Sequence, residues 1–155
     1  MLSNYKTNIY GDLVSVLIEI DEFQSNIKEY VKKFVSFNVK KDGTFVDDDT
    51  LANKFGFTLV DVVDQVENRL KYYYNEEVNE EYIDKDECDF NCYLSYARGI
   101  NNILDELSLT VEDGKLVAYI NMSKDDVSGD KEYFEKLEND NINPYRIVIE
   151  NNAVE

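Results

Sequence analysis

The architecture of this chain turns on Leu13-Val-Ser-Val-Leu-Ile-Glu-Ile-Asp-Glu-Phe-Gln-Ser-Asn-Ile-Lys-Glu-Tyr-Val-Lys-Lys-Phe34. Two periods compete within it. Leu13, Leu17, Ile20, Phe23, Ile27, Val31 and Phe34 recur at helical spacing, whereas Val14, Val16, Ile18 and Ile20 alternate as strand residues do. The helical period continues into the second half, where Lys28, Glu29, Lys32 and Lys33 fill the polar side. The spacing therefore predicts one long amphipathic helix near 12–36.

Downstream, Phe37-Asn-Val39 and Thr44-Phe-Val46 flank Asp42-Gly43, a hairpin signal. Asp49 or Thr50 can cap a short helix that Gly56 ends. Thr58 with Asp61 resembles a capping box, with Asp in place of Glu or Gln. It opens a second helix with Leu59, Val62, Val63, Val66, Leu70 and Tyr73 on one face. Residues 75–89 read either as a continuation of that helix or as an ordered loop. Phe90, Leu94, Ala97, Ile100, Leu104 and Leu107 mark another helix, and Leu109–Ile120 a hairpin around Asp113-Gly114. A short helix near 130–139 and a strand at Tyr145–Ile149 close the chain. The expected fold class is α+β: one helix-dominated globular domain over 1–155, with about four to five helices and short antiparallel hairpins. A single proline and the lack of a Gly/Ser-rich linker argue against a second domain.

Charge is concentrated rather than spread. Residues 42–89 hold fifteen acids and four bases, out of a net −17 for all 155 residues. The first 41 residues hold five acids and six bases. The densest run, Asn75 to Asp89, carries Glu76, Glu77, Glu80, Glu81, Asp84, Asp86, Glu87 and Asp89 against Lys85 alone. Such a field repels nucleic acid and anionic membrane and attracts basic protein surfaces. Twelve Tyr and eight Phe argue against a disordered acidic tail. No apolar run approaches the ~20 residues of a membrane span. Two cysteines and no signal-peptide core in Met1-Leu-Ser-Asn-Tyr-Lys point to a cytoplasmic location.

Other motifs compete weakly. Leu51 to Val66 has the outline of a helix-turn-helix, with Ala52, Gly56 and Val62 at the small, turn and buried positions. A DNA-reading helix needs cations around it, yet this one offers Asp61, Asp64 and Glu67, so packing is the better reading. Cys88 and Cys92 lack partners for a zinc site, because the chain has no histidine and no other cysteine; two free thiols are expected. Counting an EF-hand loop from Asp84 puts Asp89 at the sixth position and Ser95 at the twelfth, where Gly and Glu are required. Without histidine, a phosphate-cradling loop or a nucleophile elbow, we read the chain as a non-enzyme with no cofactor and no metal.

The tyrosines beside the acidic run, notably Tyr74 and Tyr82, are either core or interface residues, since Tyr is enriched at interface hot spots. If 75–89 is helical, Glu76/Glu80 and Glu77/Glu81 form i,i+4 pairs about 5–6 Å apart at Cβ. Such a row has a spacing of the same order as strand phosphates. In composition the chain resembles the small acidic nucleic-acid mimics of phages and mobile elements, the anti-restriction and anti-CRISPR inhibitors. That resemblance implies occupation of the basic groove of a nuclease or defence complex in a bacterial host. Expected partner-binding residues are the eight acids of 76–89 with Tyr74 and Tyr82. An immunity protein or antitoxin against a basic toxin has the same charge logic. A helix-turn-helix regulator and a domain that is acidic only for solubility are further readings, and an exposed tyrosine-rich face is compatible with a homodimer.

Overall fold

A computed structural model describes residues 2–25, 29–123 and 130–151. Expectations placed on Met1, Ile27 and Lys28 lie outside the described residues.

The long first helix does not form. Leu13–Gln24 (β2) and Glu29–Lys40 (β3) are antiparallel strands, in register from Leu13 opposite Lys40 to Gln24 opposite Glu29. Leu2–Tyr10 (β1) pairs with the other edge of β2, giving a sheet of order β1-β2-β3. The β1–β2 turn is only Gly11-Asp12, with Gly11 at φ 62°. Glycine at the first position of a two-residue hairpin adopts that conformation without steric cost. The helical spacing arose because both faces of β2 are apolar. Leu13 and Leu17 lie on the buried face, and Val14, Val16, Ile18 and Ile20 on the other. From two apolar faces, residues three or four apart can always be selected. The β-branched side chains decide the outcome, because they pack better on a pleated surface than against a preceding helical turn.

The second sheet, order β4-β5-β6, comprises Leu107–Glu112, Lys115–Ile120 and Arg146–Val148, all antiparallel. Its first hairpin is the expected one. Asp113 and Gly114 both take positive φ, 52° and 74°, as a two-residue turn of mirror-image type requires. The strand at the C-terminal end also forms. The expected 37–46 hairpin shrinks to a single bridge, Val39 to Phe45.

Four α-helical elements occur among the described residues. Asp48–Lys54 (α1) is capped by Asp47, two or three residues earlier than expected, whose carboxylate accepts from Thr50 N at 2.8 Å. Leu59–Asn79 (α2) begins with the Thr58/Asp61 capping box. Phe90–Cys92 (α3) is one turn that runs into a π-helical segment, Tyr93–Ala97. Asp130–Asn139 (α4) matches the expected short helix. The helix expected through Leu107 breaks at Gly99, which has φ 66° and where an added Cβ would stand 2.8 Å from Ser123 Oγ. Helix and strand each take about a third of the chain, so the expected helix-dominated balance is corrected to an even one.

One core joins the sheets and helices. It holds Leu13, Leu17 and Phe34 from the first sheet, most of β4 and β5, and Val62, Val66 and Leu70 from α2. β4 crosses all three strands of the first sheet, and its free edge is satisfied there by side chains. Asn38 Nδ2 donates to Leu109 O at 2.9 Å, and Val111 N donates to Ser15 Oγ at 3.0 Å. Ser15 Oγ donates to Asn38 Oδ1 at 2.5 Å, which leaves Thr110 Oγ1 as the donor in its 2.7 Å bond to Ser15. Ser15, Asn38 and Thr110 are all buried, so every polar atom lost from this seam strands another without water. Replacing Asn38 with Ala should cost about 2–4 kcal/mol in urea unfolding, since it orphans Leu109 O and removes the acceptor for Ser15. A loss below about 1 kcal/mol would mean the sheets are held by apolar contact alone.

Candidate functional site

The acidic run is part helix and part loop. Helix α2 carries it to Asn79, and Glu80 is the C-cap. Glu81 turns left-handed at φ 64°, while Glu81 N bonds Val78 O and Tyr82 N bonds Glu77 O. This is a Schellman ending, with a glutamate where glycine is favoured. Residues 80–89 then form a loop back toward α3. Glu80 and Glu81 sit at the C-terminal end of α2, where the helix dipole is already negative and no basic residue occupies the last turn.

The structure divides the expected binding residues into three groups. Glu77 points inward and is fully buried, paired with Arg98 at 2.5 Å. Its position continues the buried stripe Val66, Leu70, Tyr73, a spacing already visible in the sequence. Glu76 and Glu80 face α4. Glu76 accepts from the Tyr72 hydroxyl at 2.7 Å, and Glu80 lies 3.4 Å from Lys136. The bond to Glu76, reinforced by its charge, pushes the Tyr72 hydroxyl pKa up. A groove of about 730 Å³ opens between α2, α4 and β6 here, flanked by Arg69, Glu76, Lys136 and Asp140. The third group, Glu81, Asp84, Asp86, Glu87 and Asp89, is exposed, and none of the five enters an ion pair among the described residues. The straight carboxylate row expected along a helix is thus not what forms.

What fixes the loop lies beneath it. Ile83, Tyr93 and Ala97 make a small separate core, with Tyr74, Val78, Cys88, Phe90 and Leu94 packed around it. Tyr74 belongs to this support: its ring lies 5.2 Å from Tyr93 and its hydroxyl donates to Cys88 O at 2.7 Å. Burial, then the charge of Asp89, raises its pKa. Tyr82 is half-buried with its ring 6.1 Å from Tyr133. Of the neighbouring tyrosines, Tyr73 and Tyr93 are core, whereas Tyr72 and Tyr96 are exposed. Cys88 and Cys92 are joined in a disulfide, not free. Cys88 precedes the Asp89 N-cap, and the turn brings the two Cα atoms to 5.2 Å, within bridging range.

Arg98 is the residue that sequence reasoning missed. It is buried; its guanidinium stacks 4.7 Å from the rings of both Tyr93 and Phe134, Nε donates to the Tyr93 hydroxyl at 2.9 Å, and its carbonyl accepts from Ser123 N. One side chain thereby ties α2, the π-helical turn and α4 together.

The outer surface of the loop has its own shape. A depression of about 360 Å³ has Val78 and Ile83 among its lining, with Glu81, Asp84, Lys85 and Asp86 around it. Asp84 also braces the loop by accepting from Asp86 N, and Asp89 by accepting from Cys92 N. No group of three or more Asp, Glu or Cys side chains among the described residues is arranged to hold a metal ion. No helix among them is long and apolar enough to cross a membrane. No family model, curated protein or solved structure matches the chain.

Removing one member of the buried pair strands the other charge. Arg98→Met should therefore cost about 3–5 kcal/mol, and the double change Glu77→Met with Arg98→Met should recover most of it. A loss in the double variant equal to the sum of the two single-variant losses, measured by chemical unfolding, would show that the pair is not coupled.

Proposed function

We propose that this protein is an acidic inhibitor that occupies the basic nucleic-acid-binding surface of a nuclease or defence complex. The observation that carries the reading is the acid-rimmed depression of the 80–89 loop. Its apolar lining, Val78 and Ile83, suits the aliphatic stem of a lysine or arginine, while Glu81, Asp84 and Asp86 suit its charged end. A phosphate-binding cation of a nuclease has that chemistry, so seating one here removes it from nucleic acid.

Two further features support the reading. None of the five exposed acids enters an ion pair among the described residues, so docking breaks none there. Glu81 also holds a position that is unfavourable for stability alone, at a helix C-terminus and in a left-handed conformation. The mechanism is steering followed by insertion. The net charge of −17 draws the basic partner in, and the fixed loop sets register. The partner's chemistry is blocked by exclusion, with no catalytic step in this chain.

The test uses the triple variant Glu81→Lys, Asp84→Lys, Asp86→Lys, whose altered side chains are exposed and leave Glu77 and Arg98 untouched. Tagged wild-type protein in bacterial host extract should capture a nucleic-acid-binding protein at about 100 mM salt, release it at about 500 mM, and lose it to added double-stranded DNA. The triple variant should bind that protein roughly 100-fold more weakly with unchanged far-UV circular dichroism. Undiminished capture by the triple variant, or indifference to DNA, would remove the reading.

A further inference from the structure

Among the described residues, nothing covers the outer face of the first sheet. The cross-strand row Ile9–Val14–Val39–Phe45 runs over all three strands and the bridge beyond them. The next row is Thr7–Val16–Phe37, and the third is Tyr5–Ile18–Val35. Across the three rows there is one hydroxyl besides the tyrosine and no charge. Phe45 is 75% exposed, Tyr5 71%, Ile9 67% and Phe37 45%. Taking roughly 200 Å² for a fully exposed aromatic and less for an aliphatic residue, the face offers on the order of 600 Å². Contiguous apolar patches of this size on a soluble protein mark interaction sites.

We propose that the occupant is a second copy of this chain, packed sheet on sheet about a two-fold axis. Two such faces bury on the order of 1,200 Å² together, the lower bound for a stable interface. Charge points to the same occupant. Residues 1–41 hold five acids and six bases, whereas the remainder holds 28 acids and ten bases. Two molecules of net charge −17 repel wherever their acidic parts approach, and the first sheet is where they can meet without that cost. A neutral face is also complementary in charge to itself, as an isologous contact demands. At the end of the face the charges are already matched within the copy, Lys33 lying 3.1 Å from Glu22. Aligned packing of two twisted sheets at about 30° then interdigitates the β-branched rows.

This surface and the acidic loop respond oppositely to salt. Screening weakens docking of a basic partner but relieves repulsion between two acidic copies. Sedimentation equilibrium of the full chain should give twice the 18.1 kDa chain mass, with a dimer constant that tightens several-fold between about 50 and 500 mM salt. Phe37→Glu and, separately, Tyr5→Glu on the exposed edge strand each place facing carboxylates in the interface. Each should loosen the dimer by at least about 100-fold, with the circular dichroism of Tyr5→Glu unchanged. A wild-type protein that stays monomeric at about 100 µM overturns the inference. So does a dimer that survives Tyr5→Glu, or one that dissociates as salt is raised.

Discussion

The buried pairing of Glu77 with Arg98 is the interaction on which the acidic surface depends. Neither charge is tolerable alone in the interior, and each gives the other its reason to be there. Glu77 is fixed by the inward stripe of α2, so Arg98 must come to it. That requirement turns the chain inward after the π-helical segment, and the left-handed Gly99 carries it out again beside Ser123. The stacked rings of Tyr93 and Phe134 close over the guanidinium. The loop between the two charged residues is then held at both ends.

The rest of the loop's order follows from that anchorage. The small core of Ile83, Tyr93 and Ala97 sits directly beneath the carboxylates, and the Cys88–Cys92 bridge and the Tyr74–Cys88 hydrogen bond join its outer turn to α2 and α3. Acids that would loosen an unsupported helix end are carried on a platform whose apolar contacts offset their repulsion. The first sheet works differently. It is neutral, its inner face sealed to β4 by the Ser15–Asn38–Thr110 seam and its outer face apolar. The chain thus separates its two kinds of surface along its own sequence.

Much of this was legible in the residues. The Asp113-Gly114 turn, the Thr58/Asp61 box, the α1–α2 corner and the short α4 each carry a local signal that tertiary packing left intact. The first sheet was not legible by periodicity, because β2 is apolar on both faces and a two-residue and a four-residue period then coexist. The Gly11-Asp12 pair between Ile9-Tyr10 and Leu13-Val14 was the available signal, and it favours a hairpin. The break at Gly99 had a local signal, a glycine able to end a helix in the left-handed conformation, whereas its close approach to Ser123, far along the chain, was not legible. The inward turn of Glu77 could have been read by extending the stripe of Val66, Leu70 and Tyr73 one step further, past the expectation that an acid faces water.

The acidic loop is a fixed surface presented by its own small core. Backbone ¹⁵N relaxation on the free protein should give order parameters for Glu80–Asp89 of about 0.85, matching those of α2. Values below about 0.6 across Glu81–Glu87 would show a mobile acidic segment instead of a fixed surface.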